Sequence, residues 1–265
     1  MGVPIALTIA GSDPSGGAGI QADLKTFAAL GVYGVTAITA ITAQNTRGVF
    51  AVHDVPAEFI AAQIDAVFAD LTVGAVKIGM LSNAAAVEAV SSGLKRHGAR
   101  NVVVDPVLLA SSGATLLERG AIDALRRLIA QADLLTPNLP EAAELLNLPA
   151  ARDETGMRSQ AEKLLALGAG AVLIKGGHLG GPESIDILVS AAGSERFAAP
   201  RTATRNTHGT GCTLSSAIAA GLAKGLRLEQ ATGEAKAYVS AAIAAADRLV
   251  VGSGRGPLHH FHAWW

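Results

Sequence analysis

Ile5-Ala6-Leu7-Thr8-Ile9-Ala10, then Gly11-Ser12-Asp13-Pro14-Ser15-Gly16-Gly17-Ala18-Gly19, then residues 20–30 read in succession as a strand, a glycine-rich loop and a helix. The first run is short, almost entirely apolar and bounded by a turn signal, as expected of a strand buried on both faces. The alternation continues. Residues 35–40 and 49–55 are strand-like. A helix begins near Pro56, where proline is tolerated in the first turn, and is expected to turn Phe59, Ile60, Ile64, Val67 and Phe68 inward. Residues 75–78 read as a strand, 84–96 as a helix with basic residues toward its end, and 101–104 as a strand. Two or three helices are expected between Leu116 and Leu167, separated by Leu134-Leu135 and the break at Thr136-Pro137. Residues 172–174 form a further strand, 185–189 and 195–198 suggest a hairpin parted by Gly193-Ser194, and helices over 213–223 and 229–249 close the chain.

Strands separated by helices imply right-handed crossovers and a central, mainly parallel sheet covered on both faces, a three-layer α/β/α fold. No Pro/Ser-rich linker or block of charge divides residues 1–265, which read as one domain. Asn45-Thr46-Arg47-Gly48 echoes Asn206-Thr207-His208-Gly209, but four residues do not make a repeat. In such a sheet the site lies beyond the carboxyl ends of the strands. Six groups of chemistry-bearing residues fall there: 11–19, Gln44-Asn45, Gly79-Met80, Asp105-Pro106, 138–141 and Lys175-Gly176-Gly177.

Composition narrows the function. The chain has 265 residues, half of them hydrophobic, enough to bury roughly three quarters of its unfolded surface. A formal net charge of −1 gives no basic field for nucleic acid or an anionic membrane. The single cysteine excludes an internal disulfide framework and fits a reducing, cytoplasmic location. No apolar run approaches membrane-spanning length, and no basic stretch precedes the first apolar segment, so neither a membrane span nor a signal peptide is expected.

That cysteine sits in Asn206-Thr207-His208-Gly209-Thr210-Gly211-Cys212-Thr213-Leu214-Ser215. Leu214, Ile218 and Leu222 mark an apolar helical face running on from it. A helix start with small residues presents free N–H groups and a partial positive charge, a seat for phosphate, and the same field is expected to lower the pKa of a thiol there. Taken alone, Gly-Thr-Gly is a common loop and a lone cysteine is usually a small core residue. The P-loop pattern is absent because no Gly-Lys pair occurs. Gly17-Ala18-Gly19 matches the dinucleotide fingerprint only in part, with no acidic residue closing a second strand.

The stretch from Ala6 to Thr26, together with Lys77-Ile78-Gly79-Met80-Leu81, Thr136-Pro137-Asn138-Leu139-Pro140-Glu141-Ala142, Ile174-Lys175-Gly176-Gly177-His178, Asn206 to Cys212 and the ending His259-His260-Phe261-His262-Ala263-Trp264-Trp265, resembles the hydroxymethylpyrimidine/phosphomethylpyrimidine kinases of thiamine biosynthesis. The resemblance covers essentially the whole chain. It implies a ribokinase-like fold, a cytosolic homodimer, and two ATP-dependent phosphorylations that take 4-amino-5-hydroxymethyl-2-methylpyrimidine to its monophosphate and then its diphosphate. With no further domain expected, condensation with the thiazole half falls to another protein.

Role by role, the resemblance implies that Gly209, Thr210, Gly211 and Cys212 form an anion hole, with Cys212 as the base where related sugar kinases carry aspartate. The rival reading is that Cys212 only packs while water or phosphate takes the proton. Lys175 reaches the ATP phosphates, helped by Asn138, Asp105 and Thr207, though Asn138 equally suits a helix cap and Asp105 a turn cap. Glu141 holds Mg²⁺ through water, though an acid in a first helical turn is also simply favourable with the dipole. Gln44 offers an acceptor and two donors to an aminopyrimidine, in a pocket shared with Gly11, Met80 and Val107. Asp23 contacts the substrate, orients the glycine loop, or serves the helix dipole. The histidine-rich ending is expected to be a structural tail, and His208 lies close enough to the anion hole to touch phosphate. Two alternatives stay open: a pyridoxal or pyridoxine kinase of the same chemistry, and a non-catalytic pyrimidine or nucleotide sensor.

Overall fold

The computed structural model describes residues 2–108 and 117–265. Leu116, where the central helical stretch was expected to open, lies outside them. The strands are β1 (Ile5–Ser12), β2 (Tyr33–Asn45), β3 (Gly48–Asp54), β4 (Ala75–Ile78), β5 (Val102–Val104), β6 (Leu134–Leu135), β7 (Ala171–Lys175), β8 (Glu183–Ser190) and β9 (Gly193–Pro200). They form one sheet in the order β3-β2-β1-β4-β5-β6-β7-β8-β9. The run from β2 to β7 is parallel, and β3, β8 and β9 add antiparallel edges.

The two-residue period of each strand sorts its side chains into two cores. Leu7, Ile9, Val76, Ile78, Val102, Val104, Leu135, Val172 and Ile174 face one layer. That layer is built from α2 (Ala57–Asp70), α3 (Ala84–His97), α4 (Ile122–Ile129), α5 (Leu139–Leu146) and α6 (Glu154–Leu165). Ala6, Ala75, Val103, Leu134, Ala171 and Leu173 face the other, formed by α1 (Gly19–Ala29), α7 (Thr210–Ala223) and α8 (Leu228–Ala244). No helix among the described residues is long and apolar enough to cross a membrane.

Several expectations are corrected. Phe59 is 61% exposed, whereas Ile60 and Ile64 on the same helix are fully buried. The inner face follows the 60, 64 spacing, and Val67 and Phe68, half-buried, pack against the same core as expected. β2 runs on to Asn45 and pairs with β3 through the tight turn at Thr46-Arg47, because its last residues gain ladder bonds that an apolar pattern cannot reveal. Gly193-Ser194 belongs to β9, and the hairpin turn is at Ala191-Ala192. α8 stops at Ala244, and α7 starts at Thr210 rather than Thr213. The first turn of α7 carries no large apolar residue, so periodicity missed it.

What seats that turn is contact between two glycine-rich loops. Gly209 is the N-cap of α7 at φ +83°, and a Cβ there would lie 1.8 Å from the Gly17 carbonyl oxygen, so only glycine fits. Asp13 ties the same loops electrostatically. Its Oδ1 accepts from the Ser15 N–H (2.8 Å) and Ser15 Oγ (2.7 Å), and its Oδ2 from the Ala18 N–H (2.8 Å), the Gly17 N–H (3.2 Å) and His208 Nε2 (2.8 Å). Burial works to raise the Asp13 pKa, but the bonds from His208, Ser15 and Ala18 outweigh it and bring the group down to about 2.

Two outcomes follow for stability. Ile60→Ala is expected to cost about 2–5 kcal/mol by denaturant unfolding, and Phe59→Ala within about 0.5 kcal/mol; equal losses would contradict the assigned helix face. A carboxylate with a depressed folded-state pKa stabilises above its unfolded value and loses that contribution as pH falls through the folded one. Asp13→Asn is therefore expected to lower the urea midpoint above pH 4, with the difference from wild type shrinking between pH 4 and pH 2. A difference independent of pH would contradict the role given to the charge.

Candidate active site

The carboxyl ends of β1, β2, β4, β5, β6 and β7 and the first turn of α7 enclose a cavity of about 900 Å³. Gln44, Gly11, Met80 and Val107 line one part of it. Asn138, Asp105, Glu141, Lys175 and Thr207 line another, and Gly209, Thr210, Gly211 and Cys212 lie in the wall as well. Residues as far apart in sequence as Gly11 and Cys212 meet here because parallel crossovers bring the carboxyl ends of β1, β2, β4, β5, β6 and β7 to the same side of the sheet.

The first helical N–H groups of α7 have no intrahelical partner by geometry. Thr213 N–H bonds the Gly209 carbonyl (2.9 Å) and Thr210 N–H the Thr207 carbonyl (3.3 Å), which leaves those of Gly211 and Cys212 for the cavity. Thr210 Oγ1 donates to the Thr207 carbonyl at 2.8 Å, fixing the entry to the helix. Behind the turn, Thr213 Oγ1 donates to the Gly209 carbonyl (2.8 Å) and lies 3.0 Å from His260 Nε2, whose carbonyl accepts from the Tyr238 hydroxyl (2.7 Å). Burial pushes the His260 pKa down to about 4, so a neutral ring braces the turn. His259 and His260 are buried, so this part of the histidine-rich ending packs behind the turn as a buttress.

Cys212 reverses one expectation. Burial pushes its thiol up to about 11, against the lowering influence of Lys77, and the nearby Asp23 and Asp105 add to the rise. Desolvation outweighs the helix field that the sequence suggested.

Asp23 is also corrected: it does not reach the cavity. It is fully buried and accepts from Lys77 Nζ at 2.8 and 2.9 Å, from Thr8 Oγ1 at 2.6 Å and from Ser216 Oγ at 2.7 Å. Each oxygen is satisfied, so no valence is left for a substrate. Burial opposes the charge on Lys77, but Asp23, then Cys212 and Asp105, hold its pKa above the ordinary value. Lys77 was quoted in the sequence only as part of a motif. A lysine inside the apolar strand Ala75–Ile78 is the signal that a buried acid must be found for it.

At the other side Lys175 Nζ lies 2.6 Å from Asp105 Oδ1 and 3.8 Å from Glu141 Oε2. A Cβ on Gly211 would come within 3.2 Å of Lys175 Nζ, so this ammonium stands directly against the α7 turn. Burial works against its charge, yet Asp105 and Glu141 carry it up to about 12. Burial raises Glu141, with Lys175 pulling the other way. Asn138 and Glu141 form a reciprocal capping box on α5: Asn138 Oδ1 accepts from the Glu141 N–H (2.9 Å), and Glu141 Oε2 from the Asn138 N–H (2.7 Å). Asn138 thus caps the helix and also lines the cavity. Asp105 also accepts from Thr136 Oγ1 and Ser215 Oγ.

Two hard carboxylates beside an ammonium suit Mg²⁺, which needs few protein oxygens and keeps water and phosphate ligands. Among the described residues no group of three or more His, Cys, Asp or Glu side chains is placed to cage a metal. Thr42 Oγ1 donates to the Ser12 carbonyl at 2.8 Å and lies 3.1 Å from Gln44 Oε1, while Gln44 Nε2 lies 3.5 Å from His208 Nε2. His208 itself is held by Asp13. At the far end of the cavity Lys236 pairs with Asp186 at 2.7 Å, and Asp186 also accepts from the Gly176 N–H at 3.0 Å, which anchors the loop after Lys175.

Residues 13–259 match the family model described as phosphomethylpyrimidine kinase. The chain is 58% identical over 261 residues to a hydroxymethylpyrimidine/phosphomethylpyrimidine kinase of Salmonella typhimurium, and 60% identical over 262 residues to one of Rhizobium meliloti, covering 98% of both chains in each case. Among solved structures, a phosphomethylpyrimidine kinase from Clostridium difficile superposes with a TM-score of 0.80 at 46% identity, covering 90% of this chain and 99% of that one. A Staphylococcus aureus pyridoxal kinase bound to AMP-PCP and pyridoxal gives 0.90 at 31% identity, covering 99% and 95%. The three layers are thus the ribokinase-like α/β arrangement of these kinases, and the chain belongs to the phosphomethylpyrimidine kinase family.

Proposed function

We propose that this chain uses MgATP to phosphorylate 4-amino-5-hydroxymethyl-2-methylpyrimidine to its monophosphate and then to its diphosphate, in thiamine biosynthesis. The observation that carries the proposal is the first turn of α7, which stands against the Lys175–Asp105 pair and lines one cavity with Gln44. The near full-length curated relatives bearing both activities in their names support the choice of ring over pyridoxal.

In this reading the N–H groups of Gly211 and Cys212 and the dipole of α7 hold the transferring phosphoryl group, with Thr210 and Gly209 fixing their direction. Lys175 adds a point charge on the same group. Asp105 and Glu141 would hold Mg²⁺, which on binding offsets phosphate charge. Gln44 reads the exocyclic amine and adjacent ring nitrogen, and Gly11, Met80 and Val107 shape the slot for the ring. Cys212 takes the hydroxymethyl proton late, as a loose transition state allows, with Lys77 beneath it favouring the thiolate. We assign all of this to a single cytoplasmic domain acting as a homodimer. The exposed apolar residues Ile41, Phe50 and Val52 on the edge hairpin β2–β3 support that surface as the contact.

Purified protein with the hydroxymethylpyrimidine and MgATP is expected to yield diphosphate by mass spectrometry. A higher kcat/KM for pyridoxal, or no ATP consumption with either ring, would contradict the assignment. Because the thiol is raised, kcat of the wild type should climb with pH toward the thiol's pKa of about 11. Cys212→Ala is expected to abolish the climb and lower kcat by about 10²-fold with little change in ATP affinity; near-wild-type turnover would move proton acceptance elsewhere. Phe50→Asp is expected to give monomers by sedimentation, and an unchanged dimer would exclude the edge hairpin.

A further inference from the structure

A second recess of about 410 Å³ adjoins the substrate end of the cavity, and Gln44, Val49, His208 and Arg255 line both. Arg47, Arg205 and Arg255 line it, and no acidic residue does. The three arginines come from separate parts of the chain: the β2–β3 turn, the loop before α7, and the segment leading to the carboxyl terminus. Their convergence is held by backbone. Arg255 N–H donates to the Thr46 carbonyl (2.9 Å), Gly254 N–H to Thr46 Oγ1 (3.1 Å), and Gly256 N–H to Asn206 Oδ1 (3.1 Å). Asn206 Nδ2 is in turn fixed on Asp247 at 2.8 Å.

Five arginines elsewhere are ion-paired: Arg96 with Asp65, Arg126 with Asp123, Arg127 with Glu88, Arg196 with Glu154 and Glu183, and Arg227 with Glu229. Arg47 and Arg205 have no acidic partner among the described residues. Three arginines and no acidic side chain in the lining give this mouth a positive character. In the reading proposed above the ATP phosphates have their own cation in Lys175, which stands against Gly211 and does not line this recess. A basic mouth at the acceptor end has no task for a neutral alcohol, but it does for an acceptor already carrying a phosphomonoester. Planar guanidinium forks suit such a dianion.

We propose that the Arg47–Arg205–Arg255 recess captures the phosphomonoester group of the second acceptor as it enters, so that it selects the monophosphate over the alcohol. This rests on the two-step reaction proposed above and adds to it a residue set for the second step alone. The test is steady-state kinetics of wild type and the Arg47→Gln/Arg205→Gln double variant with each acceptor, at low and high salt. The double variant is expected to lose about 10-fold or more in kcat/KM for the monophosphate, mainly through KM, and to lose most of the salt dependence of that step. Its kcat/KM for the alcohol should stay within about twofold, which also reports that the variant is folded. The Arg47→Lys/Arg205→Lys variant keeps the charge and should recover most of the salt-dependent capture. Equal losses with both acceptors, or no loss with either, would overturn the recess while leaving the reaction intact. A wild-type protein that phosphorylates neither acceptor would instead overturn the reaction itself.

Discussion

The site depends on one constraint: the first turn of α7 must be bare and must be held from behind. Its residues Thr210, Gly211 and Cys212 are small, so the turn can approach Lys175 and Asp105 without a side chain intervening. Apart from the Thr210 hydroxyl on the Thr207 carbonyl, such small residues anchor little. The rigidity comes from elsewhere: the Asp13 carboxylate bridging the β1–α1 loop to His208, the close contact of Gly209 with Gly17, and His260 set against Thr213. The anion hole proposed for this turn would work only with its dipoles fixed before the charge arrives, and these contacts hold the turn in place.

Around that turn the charges are arranged in buried pairs rather than singly. Lys77 with Asp23 lies beneath Cys212, Lys175 with Asp105 beside Gly211, and Lys236 with Asp186 farther along the cavity. Each lysine would be costly alone, since a buried ammonium requires a partner. The pairs differ in what they have left to offer. Asp23 is fully occupied by Lys77, Thr8 and Ser216 and acts as scaffold. Lys175 and Glu141 still face the cavity, with valence available for phosphate and for a hydrated cation.

Much of the architecture was legible because it is written in periodicity. Short apolar runs such as Ile5 to Ala10 and Ala75 to Ile78 became central strands, and the residues beyond their ends did converge. What failed was decided by tertiary surroundings. The start of α7 carries no apolar period, and the extension of β2 depends on ladder bonds to β3. Phe59 sits one step off the stripe set by Ile60 and Ile64, a position that only a located helix axis resolves. Asp23 follows a glycine loop as a substrate ligand might, and nothing local says that a lysine 54 residues away consumes it. The thiol of Cys212 illustrates a competition of magnitudes: the helix field was visible in the sequence, the desolvation that outweighs it was not.

The central claim concerns where the migrating phosphoryl group rests. The most direct measurement is a crystal structure of the protein with Mg²⁺ and a non-hydrolysable ATP analogue. The account predicts the terminal phosphate within hydrogen-bond distance of the Gly211 and Cys212 amides, with Lys175 Nζ on the same group. A terminal phosphate lodged away from the α7 turn, with those two amides facing only solvent, would contradict it.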